Sequence, residues 1–96
     1  RYTAGPVDRH AVYEVIDGER RYQDDGQGPT PRPRPPGTET EELTLGEGLL
    51  CIEELLRKAR SCWYTPNGNV AALDQLRKLA AVAVQLQENY GVVSRD

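Results

Sequence analysis

A proline-rich segment near the middle of the chain limits what this sequence can fold into. Five prolines fall within eight residues, at Pro29, Pro31, Pro33, Pro35 and Pro36. Each lacks the backbone N–H that a helix or an inner strand requires, so no regular element can run through them. We therefore interpret residues 25–43 as an extended linker. The alternative is a polyproline ligand for an aromatic groove, because RPRPP resembles such ligands.

The segment before the linker has the spacing of an amphipathic helix. Asp8 stands near its start and Gly26 follows its end, as is typical of helix boundaries. The pattern predicts a helix over residues 7–24. Its apolar positions recur at helical intervals and are Val7, Ala11, Val12, Val15 and Ile16.

Two further helices are predicted after the linker. Thr44 and Glu47 form a capping box, which starts a helix over residues 45–63. YTPNGN, residues 64–69, is a turn, and Asn69 would cap a third helix over residues 70–90 that ends at Gly91. The apolar stripe of the second helix consists of Leu45, Leu49, Ile52, Leu56, Ala59 and Trp63. The third has two rows, Leu73, Leu76, Ala80 and Ala83, and Leu79, Val82 and Leu86.

This pattern predicts an all-α fold of three helices, in which the last two form an antiparallel hairpin. The chain has 96 residues, 38% of them hydrophobic, with no Phe, no Met and one Trp. A core built from so few large side chains is thin. We therefore expect a homo-oligomer, in which the hairpin packs against a second copy in a four-helix-type core.

Charge and hydropathy exclude some partners. A net charge of −3 gives no general attraction to duplex nucleic acid, and no apolar run approaches the length of a membrane span. The first ten residues lack the apolar stretch of a signal peptide, so we expect a cytoplasmic protein. Cys51 and Cys62 lie eleven residues apart on one predicted helix, too far apart for a disulfide.

The acidic residues of the second and third helices allow two interpretations. Inward carboxylates on paired helices can hold Mg²⁺, and the candidates are Glu47, Glu53, Glu54, Asp74 and Glu88. Several also have a cation three or four residues later, which is typical of a solvated, salt-bridged face. The expected pairs are Glu53 with Arg57, Glu54 with Lys58, and Asp74 with Arg77 and Lys78.

Three stretches of the sequence resemble known proteins. YEVIDGERRYQD, TLGEGLLCIEELL and LDQLRKLAAVAVQLQENYG occur in this order and resemble small phage-encoded proteins. They are more distantly similar to phage MazG-like nucleoside triphosphate pyrophosphohydrolases. The similarity covers residues 11–91 apart from the proline-rich insert. It implies an all-α fold in which an ExxE and an ExxD pair hold Mg²⁺ for a triphosphate.

The metal ligands that this resemblance implies are mostly replaced. The ExxE positions fall on Glu54 and Arg57, and those of ExxD on Gln75 and Lys78, so only Glu54 keeps a carboxylate. Cations at two of these positions repel Mg²⁺. The resemblance therefore implies the scaffold of the enzymes without their catalysis.

Three functions follow as hypotheses. The first is a non-catalytic protein that binds a nucleotide or nucleotide-derived signal, such as a host immune messenger in an infected bacterial cell. Arg57, Arg77 and Lys78 would bind its phosphates, and Tyr13, Tyr22 or Trp63 would stack on its base. The second is an Mg²⁺-dependent pyrophosphohydrolase with Glu47, Glu53, Glu54 and Asp74 as ligands. The third is a virion or interaction protein without a small-molecule ligand.

Overall fold

The computed structural model describes residues 2–25 and 43–96, and in these ranges the protein is all-helical with no strand. The helices are α1 (Arg9–Asp24), α2 (Leu45–Trp63) and α3 (Gly68–Tyr90). For the described ranges, the predicted all-α class and the three predicted helices are confirmed. The proline-rich stretch, 26–42, lies outside the described residues. None of the three helices is long and apolar enough to cross a membrane.

The first two helices begin with side-chain caps. The Asp8 carboxylate accepts a 3.0 Å hydrogen bond from the backbone N–H of His10. At α2, the Glu47 N–H donates to the Thr44 hydroxyl and the Thr44 N–H donates to the Glu47 carboxylate, both at 3.1 Å. The predicted capping box is therefore confirmed. α1 begins two residues later than predicted because Asp8 is its cap rather than part of it.

The third helix begins earlier than predicted, and its expected cap is wrong. α3 starts at Gly68, while the Asn69 side chain accepts a 3.2 Å hydrogen bond from the Trp63 indole. The turn after α2 is so tight that a Cβ at position 68 would overlap the Trp63 carbonyl group. Glycine is therefore required where the helix starts.

α2 and α3 form the predicted antiparallel hairpin around a small core. Leu55 and Val82 are 2% and 0% exposed, and Leu86 and Leu43 complete the cluster. A Cβ at position 48 would overlap Leu86, so the glycine there lets the two helices approach closely. Leu43 was assigned to the linker, and this is wrong. It belongs to the core, and its carbonyl accepts a 2.8 Å hydrogen bond from the Tyr90 hydroxyl.

The predicted apolar stripe of α2 is not the row that faces α3. Of its six residues Ala59 is buried and Ile52 is half-buried, whereas Leu45, Leu49, Leu56 and Trp63 are 49% to 56% exposed. The packed row runs through Gly48, Leu55 and Ala59 instead. On α3, Val82 and Leu86 are buried as expected, but Leu73 and Leu76 are each 48% exposed.

The exposed rows of α2 and α3 lie on the same side of the hairpin. Successive residues of a helix are rotated by about 100°. On this basis each exposed row is rotated by roughly a quarter turn from the packed row of its own helix, and the rotation has the same sense in α2 and α3. Because the two helices run in opposite directions, equal offsets bring both rows to one side. We call this surface the open face. Its residues are Leu45, Leu49, Leu56 and Trp63 of α2 and Leu73, Leu76, Ala80 and Ala83 of α3.

Of the two other described helices, α1 packs against α3 and not α2, and it does so with polar side chains. Glu19, Arg20 and Gln23 are each at most 8% exposed. The predicted apolar face of α1 is wrong as a packing surface. Its five residues are exposed except for the half-buried Ile16. α1 contacts the side of α3 that carries Arg77, Lys78 and Glu88, so it leaves the open face uncovered.

Candidate functional site

A groove between α1 and α3 is the best candidate for a binding site in the described residues. It has a volume of about 490 Å³, within the range of small-molecule sites. The groove brings together two of the three predicted phosphate-binding cations and one of the three predicted stacking aromatics. Its lining residues are Gly18, Glu19, Tyr22, Arg77 and Lys78.

Arg77 is fixed in this groove by two carboxylates. Its Nε donates to Glu19 Oε1 at 2.9 Å, and its Nη1 lies 2.7 Å from Asp74 Oδ1. Burial lowers the pKa of Arg77, but the hydrogen bonds with Glu19 and Asp74 outweigh that effect and raise it overall. The guanidinium is therefore charged and held in one orientation.

Lys78 shares one of these carboxylates. Its Nζ lies 3.7 Å from Asp74 Oδ2, so the predicted pairing of Asp74 with both cations is confirmed. Two carboxylates and two cationic side chains therefore lie together at the groove, and their formal charges cancel. An anion that binds here must compete with Glu19 and Asp74 for the cations.

Tyr22 supplies an open aromatic surface at the same groove. Its side chain is 48% exposed, and within the described residues the one close ring pair is that of Trp63 and Tyr64. A ring with a free face can stack on a planar ligand. Tyr22 therefore lies where a base could be held beside a phosphate at Arg77 and Lys78.

Arg57 lies outside the groove. On the exposed surface of α2 its Nε and Nη2 donate to the two oxygens of Glu54, at 3.0 and 2.7 Å. The hydrogen bonds between them lower the pKa of Glu54 and raise that of Arg57. The predicted pair of Glu53 with Arg57 is therefore wrong. Glu54 forms its salt bridge with Arg57 rather than Lys58, although the charge of Lys58 also lowers the pKa of Glu54. Arg57 selects the carboxylate three residues earlier because its fork reaches both oxygens.

The other two predicted stacking residues are also elsewhere. Tyr13 borders a depression on the flank of α1, which no second helix closes within the described chain. Trp63 lies at the tip of the hairpin, where its ring meets that of Tyr64 edge to face, with centroids 5.1 Å apart. Neither ring shares the groove with Arg77 and Lys78.

The carboxylates proposed for the enzyme hypothesis do not gather. Within residues 2–25 and 43–96 no group of three or more acidic, histidine or cysteine side chains is placed to hold a metal ion. Glu54 and Asp74 are each bonded to arginine, and Glu53 is exposed on α2. Cys51 and Cys62 are free thiols, and burial raises the pKa of Cys51.

Glu19 and Arg20, which join α1 to α3, were not predicted from the sequence. Arg20 donates from Nε to Glu88 Oε1 at 2.7 Å, and from Nη2 to Asp24 Oδ1 at 2.8 Å. The hydrogen bonds with Arg20 lower the pKa of Glu88. A signal was available, because Glu19 and Gln23 lie on the same helical face as Val12 and continue it with polar residues.

No family model matches the chain, and no match was found among the curated proteins or the solved structures. The interpretation of this groove therefore depends on its own residues.

Proposed function

We propose that this protein binds, without cleaving, a nucleotide or nucleotide-derived signal through a phosphate group in the α1–α3 groove. The observation that supports this proposal is the shared position of Tyr22, Arg77 and Lys78 on the groove. The same chemistry would let the protein sequester a signalling nucleotide such as a host immune messenger. The resemblance to phage-encoded MazG-like proteins gives this proposal its ligand class and remains a prediction.

The groove offers the donors that a phosphate requires. A guanidinium has five N–H donors, and the ion pairs described for Arg77 use one on Nε and one on Nη1. The remaining donors, with the Lys78 ammonium, would form charge-assisted hydrogen bonds to phosphate oxygens. Glu19 and Asp74 hold Arg77 in position, which reduces the entropy lost on binding.

The same carboxylates weaken phosphate binding by repulsion. Removing one of them takes away one negative charge beside the phosphate while Arg77 keeps its other partner. The repulsion between one carboxylate and a phosphate bound beside it in a partly hydrated groove is about 1 kcal/mol, which corresponds to about fivefold in affinity. Asp74→Asn would therefore bind nucleotide more tightly than the unaltered protein does.

Calorimetry with a panel of mononucleotides, cyclic dinucleotides and cyclic trinucleotides tests the proposal. We expect Lys78→Gln to weaken binding and Asp74→Asn to strengthen it. Arg57→Ala is the matched control, because Arg57 is also an ion-paired arginine but lies outside the groove. No binding at high micromolar concentration, or equal losses from Lys78→Gln and Arg57→Ala, would reject the groove as the site.

We propose a second function, self-association, because the open face exposes six large apolar side chains on one side of the hairpin. Apolar surfaces of this kind mark interaction sites. A second copy of the hairpin would cover them and complete the four-helix-type core predicted from the sequence. A virion or host partner that used the same face would be the interaction-protein alternative.

The mass of the protein in solution tests this proposal. Light scattering after gel filtration should give twice the chain mass, and Leu56→Asp should give a monomer. Leu50→Asp is the matched control, because Leu50 is 65% exposed on α2 but points away from the open face. A monomeric unaltered protein, or equal effects of the two substitutions, would contradict self-association through this face.

A further inference from the structure

Two charged residues stand beside the apolar row of α2 without an ion-pair partner in the described part of the chain. Glu53 and Arg60 are exposed, and neither takes part in any salt bridge found there. They are seven residues apart, so they lie on the same side of the helix, two turns from each other. Both flank the row of Leu49 and Leu56 on the edge away from α3. This edge therefore carries a negative and a positive charge in line.

The arrangement is complementary to itself. Leu56 lies almost midway between Glu53 and Arg60 along the helix. If a second α2 runs antiparallel across the first about a two-fold axis near Leu56, each Glu53 comes opposite the Arg60 of the second copy. Such an isologous contact forms both ion pairs at once.

The same charges disfavour a neighbouring register. The apolar row has heptad spacing from Leu45 to Trp63, so an antiparallel pair centred half a heptad earlier would also align apolar residues. That register would place Glu53 opposite the Glu53 of the second copy. Like charges that face each other across an interface repel, so they favour the register centred near Leu56.

The size of the open face is suited to a second copy of this chain. α2 has 19 residues and is about 28 Å long, and two packed helices are about 20 Å wide. The projected area is on the order of 550 Å². Since a corrugated helix surface has more accessible area than its projection, this is comparable with the roughly 800 Å² per partner of stable complexes.

α3 would also tolerate this arrangement. Gly48 is next to Leu86 in the antiparallel hairpin, so Leu56, eight residues further along α2, is roughly level with Lys78 on α3. Ala80 and Ala83 lie within two turns of that level on the open face. Their small side chains would let the two copies of α3 cross closely.

We propose that two copies of the chain pair through their open faces about a two-fold axis near Leu56, with Glu53 of each copy against Arg60 of the other. This inference rests on the self-association proposed above and adds its register. It also accounts for the lack of an ion-pair partner for Glu53 and Arg60 among residues 2–25 and 43–96 of their own chain.

Charge reversal tests the register. Glu53→Arg or Arg60→Glu alone replaces two attractive contacts with two repulsive ones. By analytical ultracentrifugation, we expect each to raise the dimer dissociation constant by roughly tenfold or more. The double variant should return to within about threefold of the unaltered protein. An equimolar mixture of the two single variants should form heterodimers, because both contacts are attractive there.

Lys58→Glu is the matched control, since Lys58 is an exposed cation on the side of α2 away from the open face. We expect it to leave the dimer dissociation constant within about twofold of the unaltered value. A dimer that is insensitive to both reversals, or single variants that do not recover on mixing, would overturn the register but leave self-association standing. A monomeric unaltered protein would overturn both.

Discussion

Arg20→Ala should release α1 from the hairpin without unfolding the hairpin. Arg20 is 6% exposed and forms the shortest contact between α1 and α3, at 2.7 Å to Glu88. The substitution leaves the half-exposed Glu88 carboxylate without its partner.

The free-energy cost of losing the contact between Arg20 and Glu88 follows from its chemistry and its exposure to solvent. A hydrogen bond to a charged group contributes about 1.5 to 3 kcal/mol. The Glu88 side chain is 51% exposed, so solvent screening reduces this to about 1 to 2 kcal/mol. No large apolar residue of α1 is buried to offset the loss. The ratio of docked to undocked α1 should therefore fall by about 5- to 30-fold.

Amide hydrogen exchange measures this ratio directly. Protection should fall in α1 and stay unchanged around Val82 in α3. Arg21→Ala is the matched control, because Arg21 is an 80% exposed neighbour whose pair with Asp17 lies within α1. Its effect on docking should stay below about twofold. The reasoning is refuted if both variants expose α1 equally, or if the amides near Val82 lose protection together with those of α1.

Three further predictions concern the core, pH and thiol reactivity. Leu86→Ala should lower the free energy of unfolding by about 2 to 4 kcal/mol in urea denaturation, whereas Leu50→Ala should cost less than about 1 kcal/mol; similar costs would contradict the described core. The pKa of Glu88 is lowered in the folded state. The free energy that its carboxylate contributes to the docking of α1 is therefore present above the usual pKa of a glutamate and is lost as pH falls through the lowered value. The protection factors of the α1 amides, which are corrected for the intrinsic pH dependence of exchange, should therefore fall in acid, and Glu88→Gln should remove that fall; an unchanged dependence would assign it to another group. Burial raises the pKa of Cys51, so Cys51 should react more slowly with iodoacetamide at pH 8 in the folded protein than in the urea-unfolded chain, and equal rates would contradict the described burial.

The helices themselves could be predicted because their signals are local. The capping box of Thr44 and Glu47 needs only four residues, and the structure contains both of its hydrogen bonds. The capping box predicted the start of α2, and apolar spacing predicted the helix as far as its end at Trp63. These features are fixed by contacts within a single helix, so they can be read without the tertiary structure.

The side on which each helix packs could not be predicted in the same way. α2 carries two apolar rows, and the longer one, with Leu49 and Leu56, is exposed while Leu55 enters the core. The choice depends on the close approach at Gly48, which a periodicity argument does not weigh. In a sequence, a glycine usually indicates an interruption of a helix, but Gly48 leaves the space that the Leu86 side chain occupies.

The types of residue at the candidate site could be predicted from the sequence, but which residues lie together there could not. Arg77 and Lys78 follow each other in the sequence, so their common location was expected. Tyr22 joins them because α1 packs on α3 through Glu19 and Gln23, and polar residues give little hint of a helix interface. Arg57 was assigned to the same site by family resemblance, but it lies on the exposed surface of another helix.

The hydrogen bond from the Tyr90 hydroxyl to the Leu43 carbonyl has a practical consequence for anyone who labels or shortens this chain. The turn before Gly68 joins α2 and α3 at one end, and this bond fastens their other end. Removing the chain from residue 90 onward would open that end, whereas a fluorophore attached beyond Gly91, where the backbone leaves the helix, would not disturb it. Trp63 and such a fluorophore would then stand at opposite ends of the hairpin and report its length by energy transfer.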